Sequence, residues 1–194
     1  IIAILFIFFN SENNFLNILV SLSSSVSNLG ISFENIPSNL SFIFLILVII
    51  GGSLVSTSSG LRFLKIYLLT KFSFNELVSH AKPKHVLLNK VLFSKVKINL
   101  MDINKYFFTV IIFILSLSSL VILLTLFNIK FDAAFKLGIL TLMNTVNSSL
   151  YGLENINFSE LSINLKYILI IFMIIGRIEF ISVLILIKKF VFKN

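Results

Sequence analysis

Residues 106–127, YFFTVIIFILSLSSLVILLTLF, run for 22 residues without a charge, a proline or a glycine. As a helix rising ~1.5 Å per residue the run covers ~33 Å, enough for a hydrocarbon core of ~30 Å. It reads as a transmembrane helix leaving a basic segment that ends at Lys105. The rest of the chain fits the same solvent: 57% of its 194 residues are hydrophobic and 22 are Phe, more than a soluble domain of this size could bury. Residues 1–9 are too short to span and lack a basic leader or a small-residue cleavage site. They read as the tail of a helix, and the chain is expected to be a fragment of a longer protein.

Charge sets the expected orientation. Nine of the sixteen Lys/Arg lie between Arg62 and Lys105, and Lys188, Lys189 and Lys193 follow the last apolar run. Short loops rich in Lys and Arg stay in the cytoplasm. Glu12, Glu34, Asp132, Glu154 and Glu160 fall in the other loops, which then face outward. The net charge of +8 therefore marks topology, and no nucleic-acid motif accompanies it.

A second full span is expected over 163–187, with its basic end inside. Between the two spans, residues 132–150 are apolar for only about ten residues, which suits a re-entrant segment better than a crossing. The unit is helix, re-entrant loop, helix. Residues 1–9, 15–32 and 42–69 repeat it, at an offset of 117 (Ser24 with Thr141) or 120 (Val26 with Val146). Non-helical backbone at membrane depth survives only where protein buries it or water reaches it, so two such dips point to a polar pathway. The alternative is a pair of Ser/Asn-rich linkers on the outer surface.

The apolar run 42–50 ends in GGSLVSTSSG, residues 51–60, with eight Gly, Ser or Thr in ten. Nine residues cover ~13 Å, so the break falls near the bilayer midplane. Two glycines weaken the helix there by ~1 kcal/mol each relative to Ala, and the hydroxyls can bond freed backbone groups. A loop inside the membrane results; a close helix crossing is the alternative. Arg177 lies eleven residues from both Lys166 and Lys188, hence also near the midplane, where it needs a protein partner. The backbone and hydroxyls of residues 53–60 suit it better than Glu179. A purely structural tie between helices is the other reading of that arginine.

At these residues the chain resembles the Trk/Ktr/HKT superfamily of cation transporters, of the bacterial TrkH/KtrB type. GGSLVSTSSGLR is similar to that family's GGSxGSTxGGIK, GRIEFISVLIL (176–186) to GRLEIFPVLVL, and HAKPKHVLLNK (80–90) is a looser echo of HPxAVxPVRLNGK. The resemblance implies an all-α integral membrane protein of repeated helix, re-entrant pore loop, helix units with one interrupted helix. Residues 1–70 would be the third unit with its first helix truncated, 71–105 a basic cytoplasmic loop, and 106–194 the fourth unit. The filter would comprise Ser27, Asn28, Leu29 and Gly30 with Asn144, Thr145, Val146 and Asn147, holding K+ as the transported ion. The gate would comprise Gly51, Gly52, Ser53, Ser56, Thr57 and Gly60 with Arg177. Asn147 stands where the family has a filter glycine, and Leu54, Val55 and Ser59 replace small positions of the loop.

By the same resemblance the activity is uptake of K+ in a bacterial inner membrane, with the C-terminus cytoplasmic. The alternatives are Na+ selectivity or a degenerate, non-transporting paralogue. The partners are the lipid bilayer, a second copy in a homodimer, and a cytosolic nucleotide-binding regulatory subunit of the TrkA/KtrA type. The chain carries no GxGxxG or P-loop, so any nucleotide belongs to that subunit and no cofactor to this chain. A membrane enzyme is disfavoured because no GxSxG, HExxH or Cys/His constellation is present; there are no cysteines and two histidines.

Overall fold

The computed structural model describes residues 15–31, 41–51, 61, 63–81, 100–145, 151–153, 156, 158–159 and 161–177. Among them the regular structure is entirely α-helical. The six helices are α1 (Phe15–Val26), α2 (Ser41–Ile50), α3 (Phe63–Ala81), α4 (Leu100–Leu126), α5 (Phe131–Met143) and α6 (Ile163–Arg177).

Most hydroxyls in these apolar helices bond back to the backbone of their own helix. Ser25 donates to the Ser21 carbonyl at 2.8 Å and Ser27 to that of Ser23 at 2.7 Å. Thr109, Ser118 and Thr141 bond back in the same way, each to the carbonyl four residues earlier at 2.7–2.8 Å. A hydroxyl so engaged can be buried or face an apolar solvent without an orphan donor.

α5 is the centre of the packing. It lies against α4, α6 and α2, while α1 packs on α2 and α3 on α4. Ala134 and the unbroken run Leu137 to Met143 are buried, the all-round burial expected of a helix enclosed by others. Gly138 lets α4 approach, since a Cβ there would sit 3.2 Å from Leu117 and 3.3 Å from Val121. At 13 residues α5 covers ~20 Å, short of a bilayer core.

α4 contains the one candidate span among the described residues, Ile103–Leu126. Leu120 and Leu124 face inward and are fully buried, whereas Leu115, Ile122 and Leu126 are 60–72% exposed. Such a surface suits a hydrocarbon solvent.

Two boundaries differ from the sequence expectation. The helix expected over 106–127 starts six residues earlier, at Leu100, because helix formation continues through Asp102, Asn104 and Lys105 beyond the apolar window. Residues 71–81, assigned to a basic loop, are the second half of helix α3, whose face packs on α4. The break after residue 50 appears where expected: α2 stops at Ile50, with the Gly51 N–H donating to the Leu47 carbonyl at 2.7 Å. The helix remnant over 1–9, and the parts of the expected segments over 52–60, 82–99 and 178–194, lie outside the described residues.

Candidate functional site

Helices α1 and α5 end in the same way. Asn28 has φ 60° and Asn144 has φ 53°, both left-handed. The Leu29 N–H reaches the Ser24 carbonyl at 3.0 Å and the Thr145 N–H reaches that of Leu140 at 2.9 Å. The Asn28 and Asn144 N–H groups take the carbonyls of Ser25 (3.3 Å) and Thr141 (3.2 Å). These are Schellman caps, with asparagine supplying the left-handed residue that few side chains other than Gly tolerate. Asn128, with φ 64°, closes α4 by the same bonds but is exposed.

What separates the first two caps from the third is a tie to the next helix. The Asn144 side-chain amide donates from Nδ2 to the Met173 carbonyl of α6 at 3.0 Å. The Asn28 amide, turned so that its nitrogen faces acceptors, donates to the Val48 carbonyl of α2 at 3.2 Å and to that of Ser25 at 3.2 Å. Three residues beyond each accepting carbonyl is a glycine pressed on the capped helix. A Cβ on Gly51 would lie 2.5 Å from the Val26 oxygen, and a Cβ on Gly176 would overlap the Leu142 oxygen. Val26 and Leu142 stand two residues before the respective asparagines. The two arrangements thus correspond part by part, at an offset of 116 on the capped helices and 125 on the tying helices. Neither 117 nor 120 is that offset.

Most of the expected filter residues are at these caps: Ser27, Asn28, Leu29 and Gly30 after α1, and Asn144 and Thr145 after α5. Gly30 has φ 73°, a conformation that suits glycine. Of the expected gate, Gly51 and Arg177 are described, one at each tie; Arg177 is exposed and follows Gly176 directly. Val146, Asn147, Gly52, Ser53, Ser56, Thr57 and Gly60 lie outside the described residues.

The surroundings are buried and only partly satisfied. Ser21 Oγ, Thr145 Oγ1 and Tyr151 Oη are buried with no hydrogen-bond partner among the described residues. A cleft of about 310 Å³ beside Asn144 is lined by Leu140, Thr141, Thr145, Phe158 and Met173, among others. Tyr151 is fully buried in one cluster with Ile18, Leu22, Phe44 and Leu45 of α1 and α2. Burial pushes its phenol above the ordinary range, opposed by the side chain of Ser25 beside it. The next residue, Gly152, has φ 66° and lies against Ser41, with Lys136 Nζ 3.5 Å from the position of a Cβ. Lys136 in turn pairs with Asp132 at 3.2 Å.

Sequence reasoning missed Val48, Met173 and Tyr151. Backbone acceptors leave no mark in a sequence, and the Tyr151–Gly152 pair carries no motif of its own. Gly176 was within reach, because it and Gly51 each close an apolar run.

No protein-family model and no curated protein sequence matches the chain. Its fold is similar to the crystal structure of the potassium transporter TrkH from Vibrio parahaemolyticus, with a TM-score of 0.77 and 24% sequence identity. The match takes in 89% of this chain and 36% of that one, so the chain spans about a third of TrkH. It shares the TrkH fold.

Proposed function

We propose that this chain is part of the membrane subunit of a Trk-type cation transporter, taking up K+ through a carbonyl-lined filter above an intramembrane gate. The observation that carries the reading is the pair of like-built helix ends in a TrkH-like fold. Each of two short helices stops at a left-handed residue, and the chain beyond it is where an ion sheds water onto backbone carbonyls. Residues 1–70 and 106–194 are the two helix, pore loop, helix units, joined by the basic cytoplasmic segment 71–105. The ~20 Å reach of α5 supports a segment that enters the bilayer and returns.

In this reading Ser27 to Gly30 and Asn144 to Asn147 line the filter, while Gly51 to Gly60 and Arg177 form the gate. Two of four units do not close a pore, and a longer parent protein supplies the others. The parent sits in a bacterial inner membrane with its C-terminus cytoplasmic, dimerises, and answers to a nucleotide-binding regulatory subunit. Na+ selectivity or loss of transport is the rival, motivated by Asn147.

The test is Rb+ and Na+ influx into a potassium-uptake-deficient bacterium expressing the full-length parent, with and without Asn147→Gly. Growth and Rb+ influx at limiting K+ with the native sequence are expected. Rescue by the glycine variant alone would replace K+ as the natural ion or mark the filter as decayed. Failure of both, with the protein inserted, would end the transport reading.

A further inference from the structure

We infer that Asn28 and Asn144 are latches: their side chains fasten each filter entrance to the following helix, three residues before the glycine, Gly51 or Gly176, at which that helix meets the capped one. The inference rests on the transport reading for its functional meaning, but the latch itself is a matter of geometry. Both asparagines were expected as filter residues, and both do end the helices that precede the filter. Their amide nitrogens, however, are spent sideways, that of Asn144 on the Met173 carbonyl at 3.0 Å and that of Asn28, with the amide turned to face acceptors, on the Val48 carbonyl at 3.2 Å. An amide nitrogen is a donor and has no role toward a cation, so this bond is a positioning device.

Its place gives it a consequence. Val48 lies in the last turn of α2, where carbonyls run out of intrahelical donors. The Asn28 amide supplies one of the missing donors, and the break at Gly51 follows three residues later. In the second arrangement the same three-residue step leads from Met173 to Gly176 and then to Arg177. The glycines bring each tying helix against the capped helix at the Val26 and Leu142 carbonyls, so latch and contact grip the same joint at two points. A movement of either tying helix at Gly51 or Gly176 is thereby transmitted to the end of the capped helix, and a change at that end to the tying helix. Asn128 makes the comparison possible, because it has the same left-handed cap and sits exposed at the end of α4.

Glycine holds the left-handed cap without the amide, so Asn28→Gly and Asn144→Gly delete the latch and keep the helix stop. The experiment is hydrogen exchange on the full-length parent in lipid nanodiscs, followed over peptides covering 44–61 and 163–177. Asn28→Gly is expected to speed exchange about fivefold in the first peptide and leave the second alone, the loss of one net hydrogen bond. Asn144→Gly is expected to do the reverse, and Asn128→Gly to do neither. Asn28→Asp, which keeps the shape but not the donor, is expected to follow Asn28→Gly. Unchanged exchange over 44–61 in both Asn28 variants, or equal loosening of both peptides, would overturn the latch. The same variants are assayed for the Rb+ to Na+ uptake ratio, which a merely structural tie would leave unchanged. A wild-type parent that takes up no Rb+ while the exchange pattern holds would overturn the transport reading and leave the latch standing.

Discussion

Among the described residues three glycines are in close contact with a neighbour, and the kind of neighbour decides what a methyl group would cost. At Gly51 and Gly176 the obstacle is a backbone carbonyl, which moves only if the helix carrying it moves. At Gly138 the obstacles are the ends of Leu117 and Val121, which can rotate away. We expect Gly51→Ala and Gly176→Ala each to destabilise the protein by ~1–3 kcal/mol, the range for overpacking. Gly138→Ala should cost less than ~1 kcal/mol, because alanine also favours the helix. Thermal unfolding in detergent checks this, and equal losses at all three positions would contradict the distinction drawn from the neighbours.

Among the elements, α4 displays its solvent preference most openly. Leu115 is 62% exposed midway along it, so in water a lysine there would be harmless. In a bilayer the same residue costs ~2.5–3.5 kcal/mol on insertion scales. Leu115→Lys is therefore expected to cut the membrane-inserted yield by at least tenfold, read by fractionation and protease protection. Undiminished insertion would mean that this face does not meet lipid.

Elements also show how far a sequence can be read. The core of α4 and the stop at Gly51 were legible, since both are written in hydropathy and in helix-breaking residues. The start of α4 at Leu100 was not, because an apolar window measures the thickness of the solvent and not the length of the helix. The second half of helix α3 was hidden, because the charges from Lys71 onward read as a basic loop and do not say that the segment is a helix. The repeat offset escaped for a different reason. The capped helices correspond at 116 and the tying helices at 125, so the connection in the second arrangement is nine residues longer and no single offset fits both. Asn28 and Asn144 were picked out in the sequence as expected filter residues, but their ties to Val48 and Met173 depend on helix packing that no local pattern encodes.

On the scale of the whole molecule, the two halves meet at α2 with α5 and at Tyr151, which reaches the buried cluster shared with α1 and α2. Its ring and its hydroxyl have opposite effects. The fully buried ring supplies packing, so Tyr151→Ala should cost ~3–5 kcal/mol by the measure of large aromatic deletions. The hydroxyl is buried and makes no hydrogen bond of good geometry among the described residues, although the Ser25 side chain lies beside it, and such a group carries a desolvation penalty of ~1–3 kcal/mol. Tyr151→Phe is accordingly expected to be neutral or to raise the unfolding temperature. A clear drop would mean that the hydroxyl is bonded, through water or to Ser25, and that its burial is repaid.

The position of Tyr151 in the chain also dictates a timetable. Helices α1 and α2 are synthesised about a hundred residues before Tyr151, and until then the buried cluster that holds Ile18, Leu22, Phe44 and Leu45 lacks one of its members. The first half cannot reach its final packing as an early, independent event. Its packing is completed only when the second half has been made and joins the shared cluster.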